Sequence, residues 1–148
     1  MVRRRIYFSF DYQNDLHRVK HVKCMPCVDA RSAAGFYNLS EWTSYLRQGD
    51  HCIVKQIDEN LKNTLATVVC IGSHTAENRF VHYEIEESMK RNNAIFGIQV
   101  HHLEDENGRL SMPGNPPFVL QTNGYKSYKF VDHEWLQKLI AESLRHLV

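Results

Sequence analysis

Residues 64–100 read TLATVVCIGSHTAENRFVHYEIEESMKRNNAIFGIQV, and this stretch decides the fold. Leu65 to Ile71 is a short, nearly uninterrupted apolar run rich in β-branched residues, and Ala94 to Val100 is a second. Strands buried on both faces read as continuous hydrophobic runs, and parallel neighbours need a crossover of roughly a dozen residues or more, usually a helix. The spacing predicts a βαβ unit whose helix runs from about Asn78 to Asn92.

At about 100° per residue, Val81, Ile85, Ser88 and Met89 of that helix share one face. Glu84 falls beside the stripe, whereas Glu86 and Glu87 point away from it. In open α/β sheets ligands bind outside the carboxyl ends of the strands, where the following helices start. Glu84 is therefore expected at the rim of such a crevice. The helical projection leaves two readings open: a site residue, or a boundary acid favourably placed near the positive end of a helix dipole.

Outward from this unit, Ile6 to Phe10 reads as a first strand and Asp11 to Asp15 as a turn, with Asn14 or Asp15 capping a helix from Leu16 to about Lys23. Residues Met25 to Asn38 are irregular, with room for one short edge strand. Ser40 is placed to cap a short helix carrying Trp42, Tyr45 and Leu46. Gly49-Asp50 opens a better one, in which Ile53, Ile57 and Leu61 recur every fourth residue until Asn63. His101 to Gly124, rich in Gly, Pro, Asn and charge, reads as an extended surface loop with a brief strand at Phe118 to Gln121. Glu134 to Leu147 closes the chain as a helix with Leu136, Leu139, Ile140, Leu144 and Leu147 on one stripe. The alternation gives an α/β class: a mostly parallel central sheet with helices on both faces, flavodoxin-like in scale.

The 148 residues are expected to form one domain, 1–148, and 43% hydrophobic with 24% charged residues is ordinary for a globular chain. A net charge of +1 gives no electrostatic case for nucleic acid. No apolar stretch approaches the roughly 18 residues that span a bilayer, and the run Ile6-Tyr7-Phe8 is too short for a secretory leader. A cytoplasmic location is expected, with no membrane partner. The four cysteines fit reduced thiols better than a disulfide framework.

His17, His21, Cys24 and Cys27 carry metal-competent side chains, but structural zinc sites separate their ligand pairs by about a dozen residues or more, so no metal is expected. The Phe10 to Asp15 turn has no glycine, which excludes the usual phosphate-cradling loops, and no Gly-x-Ser-x-Gly elbow occurs. What remains is a crevice bordered by Ser9, Phe10, Asp11 and Tyr12, by Gly72 to Thr75, and by Glu84. One acid with aromatic and hydroxyl neighbours suits a nucleoside.

The segments RIYFSFDYQND (5–15), GFYNLSEW (35–42), the stretch from Ile57 to Gly108, and NPPF (115–118) resemble, in order and spacing, the bacterial TIR-like domains of the ThsB type from Thoeris anti-phage defence. Its most specific parts are T-V-x-x-I-G-x-x-T at 67–75 and V-x-Y-E-I at 81–85. The resemblance implies a flavodoxin-like TIR domain that consumes NAD as substrate, with no cofactor. It implies cleavage of the nicotinamide–ribose bond and synthesis of a cyclic ADP-ribose isomer, a second messenger for a partner effector. It further implies action as a homo-oligomer.

The glutamate of the TIR pattern W-V-x-x-E-I corresponds here to Glu84, with Phe80 in place of the tryptophan. Glu84 is thus the expected catalytic residue, and Ser9, Phe10, Asp11, Tyr12, Ser73 and Tyr83 are expected near the nucleotide. The alternatives are a non-catalytic TIR interaction and assembly module, and a nucleoside deoxyribosyltransferase-like enzyme.

Overall fold

In the computed structural model, residues 3–35 and 37–145 are described. Five strands, β1 (Arg4–Ser9), β2 (Val28–Arg31), β3 (Ala66–Ile71), β4 (Ala94–Gln99) and β5 (Ser127–Lys129), form one sheet in the order β2-β1-β3-β4-β5. Every pairing is parallel. Six helices accompany them among the described residues: α1 (Tyr12–Lys23), α2 (Leu39–Gln48), α3 (Asp50–Leu61), α4 (Arg79–Lys90), α5 (Phe118–Thr122) and α6 (His133–Leu144). The expected βαβ unit is β3-α4-β4, and the short edge strand is β2. Both α3 and α4 turn into the next strand through an asparagine in the left-handed region, Asn63 and Asn92, a conformation asparagine tolerates better than most residues.

The structure corrects several boundaries. Helix α1 starts at Tyr12, because Asp11 rather than Asn14 or Asp15 is the cap: its carboxylate accepts from the backbone N–H of Gln13 and the side chain of Asn14. Helix α2 is capped by Asn38 and not Ser40. Phe118 to Gln121 lies in helix α5, not a strand; Pro117 precedes it, with the fixed φ that suits a helix start. The fifth strand is instead Ser127–Lys129, three residues without an apolar run. Leu147, expected on the α6 stripe, lies outside the described residues.

Alternation along the strands gives the sheet two unlike faces. Ile6, Phe8, Val68, Cys70, Phe96 and Ile98 belong to a large apolar cluster with Val19 and Val22 of α1 and Leu136 and Ile140 of α6. The other face turns Tyr7, Ser9 and Thr67 toward α4, beside a smaller cluster of Val69, Ile71, Ile95, Val81, Ile85 and Leu120.

The segment 101–117 has no helix or strand and is fastened by Arg18, whose guanidinium donates to the carbonyls of Leu103 (2.8 Å) and Arg109 (3.0 Å) and to Asp15 (2.9 Å). Gly72 must lack a side chain, since a Cβ there would run into the Asp15 carboxylate. Burial pushes that carboxyl up to about 6 against the pull of Arg18.

Candidate active site

Helix α4 begins with Asn78, whose side-chain oxygen accepts from the backbone N–H groups of Phe80 (2.9 Å) and Val81 (3.2 Å). This fixes the first turn, and the next turn delivers Glu84. The acid is not at a rim: it is 2% exposed, inside the α4–sheet interface. The buried sector of α4 comprises Phe80, Val81, Glu84, Ile85 and Ser88, and Met89 is only half-buried. Of the expected stripe Val81, Ile85, Ser88 and Met89, the first three are buried, and the buried sector extends toward Phe80 and Glu84 rather than Met89.

Glu84 is held from β1. The Ser9 hydroxyl donates to Oε1 at 2.8 Å and the Tyr7 hydroxyl donates to Oε2, so both carboxylate oxygens are engaged by one strand. Ser88, one turn on, donates to the Glu84 carbonyl and meets Thr67 of β3 at 2.7 Å, which ties the same stretch of helix to the sheet. Burial raises the Glu84 carboxyl to about 8, while the two hydroxyls and the charge of Lys23 act in the opposite direction. Burial and the neighbouring carboxylate push the Tyr7 hydroxyl upward as well.

Phe80, one helical turn before Glu84, ends a ladder of aromatic residues. Phe10 stacks on Tyr12 with ring centroids 4.2 Å apart, Tyr12 stacks on Trp42 at 4.3 Å, and Trp42 meets the edge of Phe80 at 5.8 Å. Tyr12 also reaches the segment after β2, where its hydroxyl accepts from the Ala34 N–H (3.0 Å) and lies 2.6 Å from Ser32 Oγ. Lys23 Nζ donates to Ser32 Oγ (2.8 Å) and the Gly35 carbonyl (3.2 Å), and burial lowers its amine to about 7.

A cavity of about 300 Å³ opens at the start of α4, lined by Asp11, Gln13, Trp42, Leu46, Glu77, Asn78, Arg79 and Phe80. Phe80 and Trp42 wall it, and Glu84 lies one helical turn beyond Phe80 on the buried face. A larger cavity, about 360 Å³, lies at the amino ends of β4 and β5, away from Glu84 and the aromatic ladder. The smaller cavity stands at the carboxyl ends of the strands, where open α/β sheets bind ligands, and Glu84 is not part of its lining.

Of the residues expected around Glu84, Ser9 bonds to it directly, Phe10 and Tyr12 stack on each other in the aromatic ladder, and Asp11 caps α1 and lines the cavity. Ser73 Oγ lies 2.8 Å from Nδ1 of its neighbour His74, and the Tyr83 hydroxyl donates to Asp58 of α3 at 2.8 Å. The sequence reading missed Tyr7, Lys23 and Trp42. For Tyr7 a signal existed, since it stands two residues before Ser9 and so on the same side of β1. Nothing local in the sequence marks Lys23 or Trp42 as neighbours of the acid.

The sequence pattern of the family described as "Thoeris protein ThsB, TIR-like domain" matches residues 7–105, which include Tyr7 to Ser9 of β1, the whole β3-α4-β4 unit and Glu84. A protein of Bacillus cereus (strain MSX-D12) named "Putative cyclic ADP-D-ribose synthase ThsB1" is 35% identical over 117 residues, 78% of this chain and 61% of that protein. The chain thus spans about three-fifths of the length of this relative. No described helix is long and apolar enough to cross a membrane. A five-stranded parallel sheet flanked by helices, and a match that runs through both the β1 grip and its acid, place the chain in the TIR-like domain family of the Thoeris protein ThsB.

Proposed function

We propose that this protein cleaves NAD at the nicotinamide–ribose bond and closes the ADP-ribose part into a cyclic isomer, which serves as a second messenger for an effector of anti-phage defence. The observation that carries the reading is the Glu84 carboxylate, gripped at both oxygens by Tyr7 and Ser9 beneath an aromatic wall. The name of the Bacillus cereus relative supports the product class.

Nicotinamide is a cation in NAD and departs as a neutral molecule, so no general acid is needed to protonate it, unlike an ordinary glycoside. The demand falls on the ribose, where positive charge develops at the anomeric carbon as the bond breaks. A carboxylate fixed in a dry site meets that demand by electrostatic stabilisation or by holding the ribose hydroxyls. Burial favours the neutral acid, with its carboxyl pushed up to about 8. The cationic ring of an arriving substrate favours the carboxylate, so substrate itself supplies the charge that ionises Glu84. A ribose hydroxyl oxygen or an adenine nitrogen then captures the anomeric carbon, or water does so and gives linear ADP-ribose.

Glu84 is buried and does not line the cavity that Phe80 and Trp42 wall, so on this reading access requires one of these rings to yield. A trigger or self-assembly would supply that movement, with a second copy of the chain as the expected partner. The test is incubation of the full chain with NAD, with and without phage-infected lysate, followed by mass analysis. The expected result is nicotinamide with a cyclic product from wild type and none from Glu84→Gln. Free base released from deoxynucleosides, with NAD untouched, overturns the reading.

A further inference from the structure

Tyr7 occupies a position where packing alone does not call for tyrosine. The residue is 0% exposed, in the middle of β1, among the aromatic and aliphatic side chains of the core. A phenylalanine would fill that volume without burying a hydroxyl, and a buried hydroxyl is costly unless it is paired. Its bond goes to Glu84 Oε2, while Ser9, two residues on, takes Oε1. Two donors on one strand hold one carboxylate on the facing helix, which fixes its direction as well as its depth.

Both donors also favour one protonation state. An O–H directed at a carboxyl oxygen stabilises the charged form more than the neutral one. The groups that act on this pair come from three elements: Lys23 and Tyr12 from α1, Asp58 from α3, and Glu84 itself from α4. Lys23 favours the carboxylate, and burial works against it.

We propose that Tyr7 is a positioning residue: its hydroxyl, with Ser9, aims Glu84 and biases it toward the carboxylate form that a developing cation requires. The proposal rests on the reading of Glu84 as the group that faces the ribose. It assigns no contact with substrate to Tyr7, which acts only through the acid.

The test compares wild type with Tyr7→Phe, both as the full chain, in the pH dependence of NAD cleavage. The variant keeps the ring and loses the donor. The acidic limb of kcat is expected to move upward by about one pH unit, since a hydrogen bond to a charged group is worth roughly that much. At neutral pH kcat should fall about tenfold, recovering toward alkaline pH, with KM within about twofold of wild type. Loss of packing alone would lower activity at every pH and leave the limb in place.

A readout without catalysis separates this inference from the NAD reading. In protein labelled with ¹³C at glutamate carboxyls, the Glu84 resonance is assigned by its absence in Glu84→Gln, and its midpoint is expected to rise in Tyr7→Phe. If the midpoint rises while wild type leaves NAD intact, the positioning role stands and the proposed activity falls. If both midpoint and activity limb coincide with wild type in a folded variant, the positioning role is overturned. Should Tyr7→Phe fail to fold, the wild-type hydroxyl proton decides: a downfield tyrosine hydroxyl resonance that vanishes in Glu84→Gln supports the inference, and its absence from wild type sinks it.

Discussion

The two faces of the sheet differ in their polar content, since the face under α4 sets hydroxyls and an acid beside its own apolar cluster. One carries Ile6, Phe8, Val68, Cys70, Phe96 and Ile98 and is packed by α1 and α6 with hydrocarbon. The face under α4 carries Tyr7, Ser9 and Thr67, whose hydroxyls find partners in Glu84 and Ser88. Apolar burial contributes stability in proportion to area and asks for no particular direction. Buried hydroxyls contribute little net energy but are costly when unpaired, so they fix geometry. The contrast separates a face that holds the fold from a face that holds an acid.

That separation makes distinct demands on substitutions. Glu84→Gln preserves shape and should lower nicotinamide release by about 10²–10³-fold, the usual scale for removing an electrostatic stabiliser, while the folded state persists by circular dichroism. Retained activity would make the polar face an ordinary interior. Ile98→Ala, on the hydrocarbon face, should cost about 3 kcal/mol in denaturant unfolding, with no change in the pH profile of whatever activity remains.

The stability difference between wild type and Glu84→Gln should itself depend on pH. Glu84 is raised in the folded protein to about 8 from 4.5, so between these values the folded state retains a proton that the unfolded chain gives up, and stability falls as pH rises. From about pH 5.5 to 7.5 wild type should lose about 2 kcal/mol relative to Glu84→Gln, with Asp15 contributing equally to both. Parallel curves would mean that the acid ionises freely. The smallest effect is expected for Thr67→Val, which removes the contact with Ser88 and the acceptor for Asn93: about 1 kcal/mol in chemical unfolding.

How far the sequence discloses this arrangement differs from residue to residue. The β3-α4-β4 unit was legible because two doubly buried strands leave continuous apolar runs, and α3 because Ile53, Ile57 and Leu61 keep helical spacing. Strand β5 was not, since Ser127, Tyr128 and Lys129 form an edge too short to show a pattern. Asp11 was read as part of a turn, yet an acid two residues before a backbone N–H is also a helix cap, and local spacing does not choose between Asp11, Asn14 and Asp15. Glu84 was singled out by spacing but misplaced in depth. A helical projection sets Glu84 beside the apolar stripe but carries no information on depth, and the hydroxyls that hold it arrive from β1, more than 70 positions away in sequence. Its suggested role came from family resemblance, not from periodicity.

The aromatic ladder gives the protein a built-in optical reporter. Of the two tryptophans in the chain, Trp42 stands between Tyr12 and Phe80, sealed from solvent, whereas Trp135 belongs to α6 beyond the other face. Replacing Trp135 with phenylalanine would leave Trp42, in the wall of the cavity, as the one tryptophan, which can be excited apart from the tyrosines. Its emission would shift to the red when the rings part and water enters, so opening could be timed by stopped flow without a label and before any product accumulates.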